Sequence, residues 1–403
     1  MKMNILFLTL IDFKSYSERN IYCDLLREFI KNGHKVYCIS PSEKRNGIET
    51  HFEEDGRLLK LKIGNTQKTN IIEKGISTIR IEPQFVAAIK KYFSDVKFDL
   101  VLYSTPPITL ARAVSYIKRR DGATTYLLLK DIFPQNAVDL GMMHKVGLRG
   151  LIYKYFRRKE KKLYALSDRI GCMSQANVDY ILKHNPEIPC EKVEICPNSI
   201  EPVDVTLTEA AKVAMREKYG IPTDKKVFVY GGNLGKPQGI PFIIECLKTQ
   251  LSNDRAYFLI IGDGTEFSKL QAFFDGEKPK NMKLMKRIPK DDYDRMIAAC
   301  DVGLVFLDYR FTIPNFPSRL LSYMQAGLPV IACTDINTDI GSVLLNNELG
   351  YWCESREPEH FSNIVSFLTD TRHDKNKEKT ITYLNTHWHA SEACRIILNS
   401  KSK

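Results

Sequence analysis

Three segments carry either glycine turns or a paired hydroxyl and cation, each at the start of a helical pattern where an anion could be held. The first, Gly231-Gly232-Asn233-Leu234-Gly235-Lys236-Pro237-Gln238-Gly239, lies between an apolar run over 226–230 and a helical pattern over 240–249. Glycines let backbone N–H groups approach a ligand, and a following helix start carries partial positive charge, so this loop suits a phosphate. Its spacing is neither G-x-G-x-x-G nor a Walker loop, which weighs against NAD and ATP. A tight strand-to-helix turn explains the same glycines. The second segment, Gly262-Asp263-Gly264 after the run 257–261, repeats the device one strand later. In the third, Pro317 and Ser318 precede Arg319-Leu320-Leu321, with Ser322 following. Ser318 is expected to cap a helix there, so that free N–H groups, its hydroxyl and the Arg319 guanidinium face one diphosphate. A merely well-capped helix is the alternative.

Two carboxylate motifs are read differently. Asp131-Ile132-Phe133-Pro134 follows the apolar run 124–130, placing Asp131 at the carboxyl end of a strand, where a carboxylate is available for binding or acid–base work. Capping of the next turn is the alternative. Asp292-Tyr293-Asp294 matches D-x-D formally, but it falls where a helix should start, so we read it as capping rather than metal binding. No metal and no cofactor is expected.

The elements that must position these residues form two series. Apolar runs over 4–10, 35–40, 58–63, 98–104, 124–130, 168–173 and 192–196 are mostly separated by helical patterns. After a break at 201–220, runs over 226–230, 257–261, 283–288, 302–307 and 328–333 repeat the alternation. Continuous apolar strands alternating with helices imply parallel sheets covered on both faces. The expected fold class is therefore α/β, with two Rossmann-like domains over 1–200 and 201–385. A helical tail over 386–403 could pack back on the first domain. Ligands of such sheets bind beyond the strands' carboxyl ends, so the functional cleft is expected between the domains.

Taken in order, "GGNLGKPQG", "LIIGDG", "AACDVGLVFL" and "PSRLLSYMQAGLPVIA", preceded by "EICPNSI", resemble the family 4 glycosyltransferases of GT-B fold, and within them the WbuB-like bacterial O-antigen and capsule subgroup. The resemblance spans nearly the whole chain and is strongest over 194–335. It implies retaining transfer from a nucleoside-diphosphate sugar, UDP-linked, to an acceptor entering from the first domain. That acceptor would be a saccharide on a polyprenyl diphosphate, and the sugar N-acetylfucosamine or a related amino sugar. The acceptor hydroxyl would approach the face that the diphosphate leaves, with phosphate oxygen taking the proton. Protein cations and helix ends would then stabilise the departing charge.

The resemblance assigns donor contacts to Gly232, Asn233, Lys236, Gly262, Asp263, Gly264, Arg287, Ile288, Ser318, Arg319, Leu320 and Ser322, and, through the subgroup's Asp-x-x-Pro sequence, a catalytic place to Asp131, binding a donor-sugar hydroxyl or positioning the acceptor. Tyr16, Ser17 and Glu18 fall in the first loop, on the acceptor side, where relatives often have Gly-Gly. The chain also departs from the family. Two family glutamates fall on Pro314 and Ser322, and the family's loop Arg and Lys fall on Asn233 and Gln238. Lys236 and Arg319 are then the nearest substitutes for the missing charge. A GT-B sugar-nucleotide epimerase and a non-catalytic scaffold of a polysaccharide assembly complex are the competing readings.

Charge adds a location. Of 403 residues, 59 are Lys or Arg and 48 Asp or Glu, a net +11 that resides in the first half. Residues 145–169 concentrate it: Lys145, Arg149, Lys154, Arg157, Arg158, Lys159, Lys161, Lys162 and Arg169, opposed only by Glu160 and Asp168. Leu148, Leu151, Ile152, Tyr155, Phe156 and Leu163 recur at helical spacing, so one face should pack while Lys154, Arg157, Arg158, Lys161 and Lys162 face an anionic membrane. Each cation near such a surface contributes ~1 kcal/mol. A solvated helix face is the bland alternative, and no nucleic-acid motif accompanies the basic run. The ten cysteines include no C-x-x-C pair, which fits reduced thiols in the cytoplasm. No apolar stretch approaches the ~20 residues of a membrane helix. The expected location is peripheral, on the inner face of the cell membrane.

Overall fold

The computed structural model describes residues 2–66, 69–147, 150–370 and 377–400. It divides into two α/β units, one of 1–201 with 390–403 and one of 202–389.

The first unit carries eight strands: β1 Asn4–Leu8, β2 Lys35–Glu43, β3 His51–Glu53, β4 Leu58–Ile63, β5 Leu100–Thr105, β6 Thr124–Leu129, β7 Arg169–Cys172 and β8 Val193–Ile195. Their order is β3-β4-β2-β1-β5-β6-β7-β8. All described pairs are parallel except β3 with β4. The sequence pattern missed β3 because all three of its residues are exposed, so no apolar run marks it. The order reverses at β1 and β5, which places this sheet's crevice at their carboxyl ends.

Local chemistry sets the first crossover. Asn20 accepts the N–H groups of Tyr22 and Cys23 at 3.0 Å, capping the helix Ile21–Lys31. Gly33, at φ +80°, ends it as expected of an Asn-Gly pair. The terminal helix Ala390–Asn399 packs beside this one, with Ala393, Cys394 and Ile397 buried in the same core as Phe29 and Leu26.

The second unit has six strands: β9 Lys226–Asn233, β10 Ala256–Asp263, β11 Met282–Met285, β12 Val302–Phe306, β13 Val330–Thr334 and β14 Gly350–Glu354, in the order β11-β10-β9-β12-β13-β14. Every pairing is parallel. The half-buried edge strand β14 was not marked by an apolar run. The order reverses at β9 and β12, so loops after these strands bound the crevice.

The ten cysteines are all free thiols and nine are buried. Among the described residues no helix is long and apolar enough to cross a membrane. The helix Gly150–Leu166 corrects one expectation: Leu151, Ile152 and Tyr155 do not pack but stand exposed, while Leu163 is buried. Phe156 packs edge-on against Phe133, 5.1 Å between ring centres. Leu148 and Arg149 lie outside the described residues.

Candidate functional site

The second unit's crevice is built around one guanidinium. Arg319 opens the short helix Arg319–Gln325 after β12 and lays its Cζ 4.4 Å from the ring centre of Tyr230, on β9. A Cβ at Gly232 would lie 3.2 Å from that Cζ, a tight contact that glycine avoids. Gly232 also has φ +139°, which suits glycine alone. Arg319 Nη1 is buried without a hydrogen-bond partner. A buried cation with one nitrogen left without an acceptor offers that N–H to an anion.

Two more tyrosines complete the surround. The Tyr323 hydroxyl accepts Gly231 N–H at 3.0 Å and donates to Leu304 O at 3.1 Å, fixing the strand end. Tyr293 crowds Gly231 so closely that a Cβ there would sit 2.1 Å from its hydroxyl. Burial pushes the Tyr293 and Tyr323 phenols well above their ordinary range, so both stay neutral. Sequence reasoning missed these three tyrosines; Tyr230, the last residue before Gly-Gly, was the available signal.

Several expected donor contacts are corrected. Ser318 is exposed, in helical backbone conformation, and makes no side-chain cap. The N–H groups of Leu320 and Leu321 bond Pro317 O and Ser318 O, at 3.2 and 3.1 Å, so they are spent within the turn. The Leu320 side chain is wholly buried. Two of the three N–H groups expected to face a diphosphate are therefore not free, and the Arg319 guanidinium is the charge at this end.

The glycines of the second motif serve strand packing. Gly262 pairs with Gly232 in the sheet, where a Cβ would meet Gly232 O at 2.0 Å. A Cβ on Gly264 would lie 2.4 Å from Leu234 O, and Asp263 Oδ1 accepts Gly264 N–H at 2.9 Å. Gln238, in the family's lysine slot, is buried and accepts from Asn233 Nδ2 and Gly235 N at 3.0 and 3.1 Å. Asn233 and Lys236 remain exposed at the loop's rim, and Ser322 is half-buried. Arg287 (exposed) and Ile288 (half-buried) lie between β11 and the helix Lys290–Ala298, the helix that supplies Tyr293. Asp292 pairs with Lys218 at 2.7 Å and Asp294 pairs with Lys290, so the D-x-D carboxylates have cations of their own.

In the first unit, Asp131 follows β6. Its Oδ2 accepts Asn136 Nδ2 at 2.6 Å, and Thr105 Oγ1 donates to its carbonyl at 3.0 Å while accepting its N–H at 3.2 Å. Burial raises its pKa to about 7, against smaller opposing effects of the Ile132 backbone and Asn136. A carboxyl that titrates near neutrality is suited to taking or holding a hydroxyl proton. The adjacent Lys130 ammonium donates to Cys196 O at 3.2 Å and is pushed down by burial.

The first loop is held from below. Tyr16, expected on the acceptor side, is instead buried against Phe13, with its hydroxyl on Val36 O and Arg57 O. Its apolar ring wins the core, leaving Ser17 and Glu18 exposed. Arg27 ties the loop down: Nη1 donates to Tyr16 O at 2.6 Å and Glu18 O at 2.9 Å, Nη2 to Asp24 at 2.5 Å and Nε to Glu201 at 2.9 Å. Lys60, almost wholly buried, pairs with Asp12 and donates to Phe13 O at 2.7 Å and Ser40 Oγ at 3.0 Å. Breaking a buried pair from one side leaves the other charge stranded. Arg27→Met, which strands the buried Asp24, should cost about 3 kcal/mol of unfolding free energy in a urea titration, and Arg27→Lys should restore part of it.

On the basic helix, Lys154, Arg158, Lys161 and Lys162 are exposed. Lys161 pairs with Glu187 at 2.9 Å. Arg157 departs from the expectation: it bonds Glu160, His184 O and Asn185 at 2.6 to 3.0 Å and does not face solvent freely.

Comparison with known proteins agrees over both units. Residues 20–203 match the family described as glycosyltransferase family 4, and 212–383 match glycosyl transferases group 1. A probable glycosyltransferase WbjE of Pseudomonas aeruginosa is 24% identical over 313 residues, 77% of this chain and 75% of that one. A putative colanic acid biosynthesis glycosyl transferase WcaI of Escherichia coli is 23% identical over 251 residues, 61% of this chain and 60% of that one. Among solved structures, sucrose-phosphate synthase from Thermosynechococcus elongatus superposes with a TM-score of 0.75 at 12% identity, over 100% of this chain and 98% of that one. Anabaena HepE in complex with UDP gives 0.67 at 14% identity over the whole of both chains. The fold is GT-B.

Proposed function

Because the chain belongs to the glycosyltransferases of group 1 and family 4, which are retaining enzymes, we propose that it moves a sugar from a UDP-linked donor to a saccharide carried on a polyprenyl diphosphate, in bacterial polysaccharide synthesis of the O-antigen or capsule kind. The colanic acid role in the name of its relative WcaI and the UDP bound to HepE support this reading. The sugar is N-acetylfucosamine or a related amino sugar.

The observation that carries the proposal is the buried Arg319 guanidinium, stacked on Tyr230 and one acceptor short at Nη1. The donor diphosphate supplies the missing acceptor. As the sugar leaves, negative charge grows on that diphosphate, and a fixed cation in a dry site favours this state more than the ground state. Exposed Asn233 and Lys236 add donors at the rim of the same loop. Asp131 orients the acceptor hydroxyl, which attacks from the face that the diphosphate leaves. A phosphate oxygen accepts the proton.

The enzyme works at the inner face of the cell membrane, where its basic helix meets anionic lipid. Purified protein incubated with radiolabelled UDP- and GDP-sugars and a bacterial lipid extract tests the reading. Label should enter the lipid fraction from a UDP-sugar. Label that stays on an altered free sugar nucleotide would mean epimerisation, and donor binding without either outcome would mean a scaffold.

A further inference from the structure

Beside Asp131 stands a polar side chain with no role so far. Asn136 lies in the short helix Gln135–Asp139, which follows the turn Asp131-Ile132-Phe133-Pro134. Its Nδ2 donates to Asp131 Oδ2 at 2.6 Å, while its Oδ1 is buried without a hydrogen-bond partner. Among the described residues, the bond to Asp131 is therefore the one its side chain makes. A buried amide oxygen left unpaired costs stability, and an apolar side chain of like size would avoid that cost. The use of the amide thus lies in the carboxyl that its other half holds.

Both partners are set firmly. Ala137 and Leu140 are buried, Phe133 packs on Phe156, and Asn136 N–H bonds Ile132 O at 3.0 Å. Thr105 Oγ1, from β5, holds the main chain of Asp131 on both sides of its Cα. The titratable groups that act on the carboxyl come from two other helices: Tyr22 from Ile21–Lys31, and Glu160 from Gly150–Leu166. Glu160 is itself engaged by Arg157 and Tyr164, and the neighbouring Lys130 ammonium is turned to Cys196 O. Among the described residues no cation pairs with Asp131, so Asn136 is its side-chain donor.

We propose that Asn136 is a positioning residue for the transfer: its amide grips one oxygen of Asp131 and so presents the other to the acceptor hydroxyl. This role rests on the reading of Asp131 as the group that orients that hydroxyl. A carboxylate accepts at both oxygens, so fixing Oδ2 leaves Oδ1 for a ligand. A side chain locked by its own packing holds such an orientation better than a mobile one. A donor to the ionised form also lowers a carboxyl's pKa, so Asn136 opposes the burial that holds Asp131 near 7. One residue thereby governs both the direction of the carboxyl and the pH at which it can accept.

The test follows label from a UDP-sugar into bacterial lipid extract against pH, for wild type, Asn136→Leu and Asn136→Asp. Asn136→Leu keeps the size and removes the donor. Asn136→Asp places a second carboxyl beside the first, so that the two share a proton. In both variants the rising limb of activity should lie about one pH unit or more above that of wild type. For Asn136→Leu the plateau beyond it should stay about tenfold low, because the carboxyl is ionised there but no longer aimed. Melting curves read the same contact without turnover. Asn136→Leu should keep a constant offset from wild type below about pH 7 and fall further behind above it, where ionised Asp131 has lost its donor. In an Asp131→Asn background that divergence should vanish. A limb unmoved in both variants, with activity lowered equally at every pH, would mean that Asn136 only braces the turn and would overturn the proposal. So would a melting offset that ignores pH. Wild type that moves no label into lipid, or shows no limb near pH 7, removes the reading of Asp131 on which this role stands. A wild-type limb near pH 7 that the variants leave in place removes the role of Asn136 alone.

Discussion

Arg319→Ala should lower kcat/KM for the UDP-sugar by about a hundred- to a thousandfold, the loss typical of removing one fixed donor to developing charge. The loss should fall on the diphosphate. Calorimetry should show weaker UDP binding and unchanged uridine binding, because uridine has no phosphate for the guanidinium to meet. Arg319→Lys keeps a charge but loses the guanidinium that lies 4.4 Å from the Tyr230 ring centre, so it should recover only part of the activity. Folding gives an independent check. A buried guanidinium whose Nη1 lacks an acceptor does not repay its desolvation, so Arg319→Ala should not lose the stability that a structural arginine would. UDP should raise the melting temperature of wild type more than that of the variant.

Asp131→Asn should cost kcat about ten- to a hundredfold, the loss of one charge-assisted hydrogen bond that orients the acceptor hydroxyl, and it should also change the pH profile. With a pKa near 7 set by burial, Asp131 is largely protonated at pH 6 and largely ionised at pH 8. If the carboxylate orients the acceptor hydroxyl, wild-type activity rises with pH through about 7, and the asparagine variant loses that limb. Stability moves the opposite way. A carboxyl whose folded pKa lies above its unfolded value favours folding less as pH rises between the two. The variant should therefore gain on wild type in melting temperature from about pH 4 to above 7. A merely structural Asp131 would give the stability trend without the change in the rate profile.

The fold was legible because its strands are continuous buried runs. β1 is the plainest case, Ile5 to Leu8 being buried throughout between two parallel neighbours. β3 was not legible, because an exposed three-residue antiparallel edge has no apolar signature. The site was legible in part. Glycines and Arg319 stood out by type, but the sequence could not say which glycines serve a ligand and which serve the chain. Gly262 and Gly264 make room for the backbone of Gly232 and Leu234, whereas Gly232 makes room for a guanidinium.

Capping failed at Ser318 for a related reason. A side-chain cap needs extended backbone at the capping residue, and Ser318 is already helical. The basic helix misled in the opposite direction. Apolar residues at helical spacing look alike whether they face a core or stand exposed. Only their exposure in the fold separates Leu151 from Leu163. Tyr16 is the converse, a loop residue whose ring packs in the core.

The central claim is retaining transfer from a UDP-sugar. Its most direct measurement is the anomeric configuration of the sugar in the lipid-linked product, read by NMR beside that of the donor. The same configuration in donor and product is predicted, formed by wild type and lost with Arg319→Ala. An inverted product, or a UDP-sugar changed but never transferred, would contradict the account.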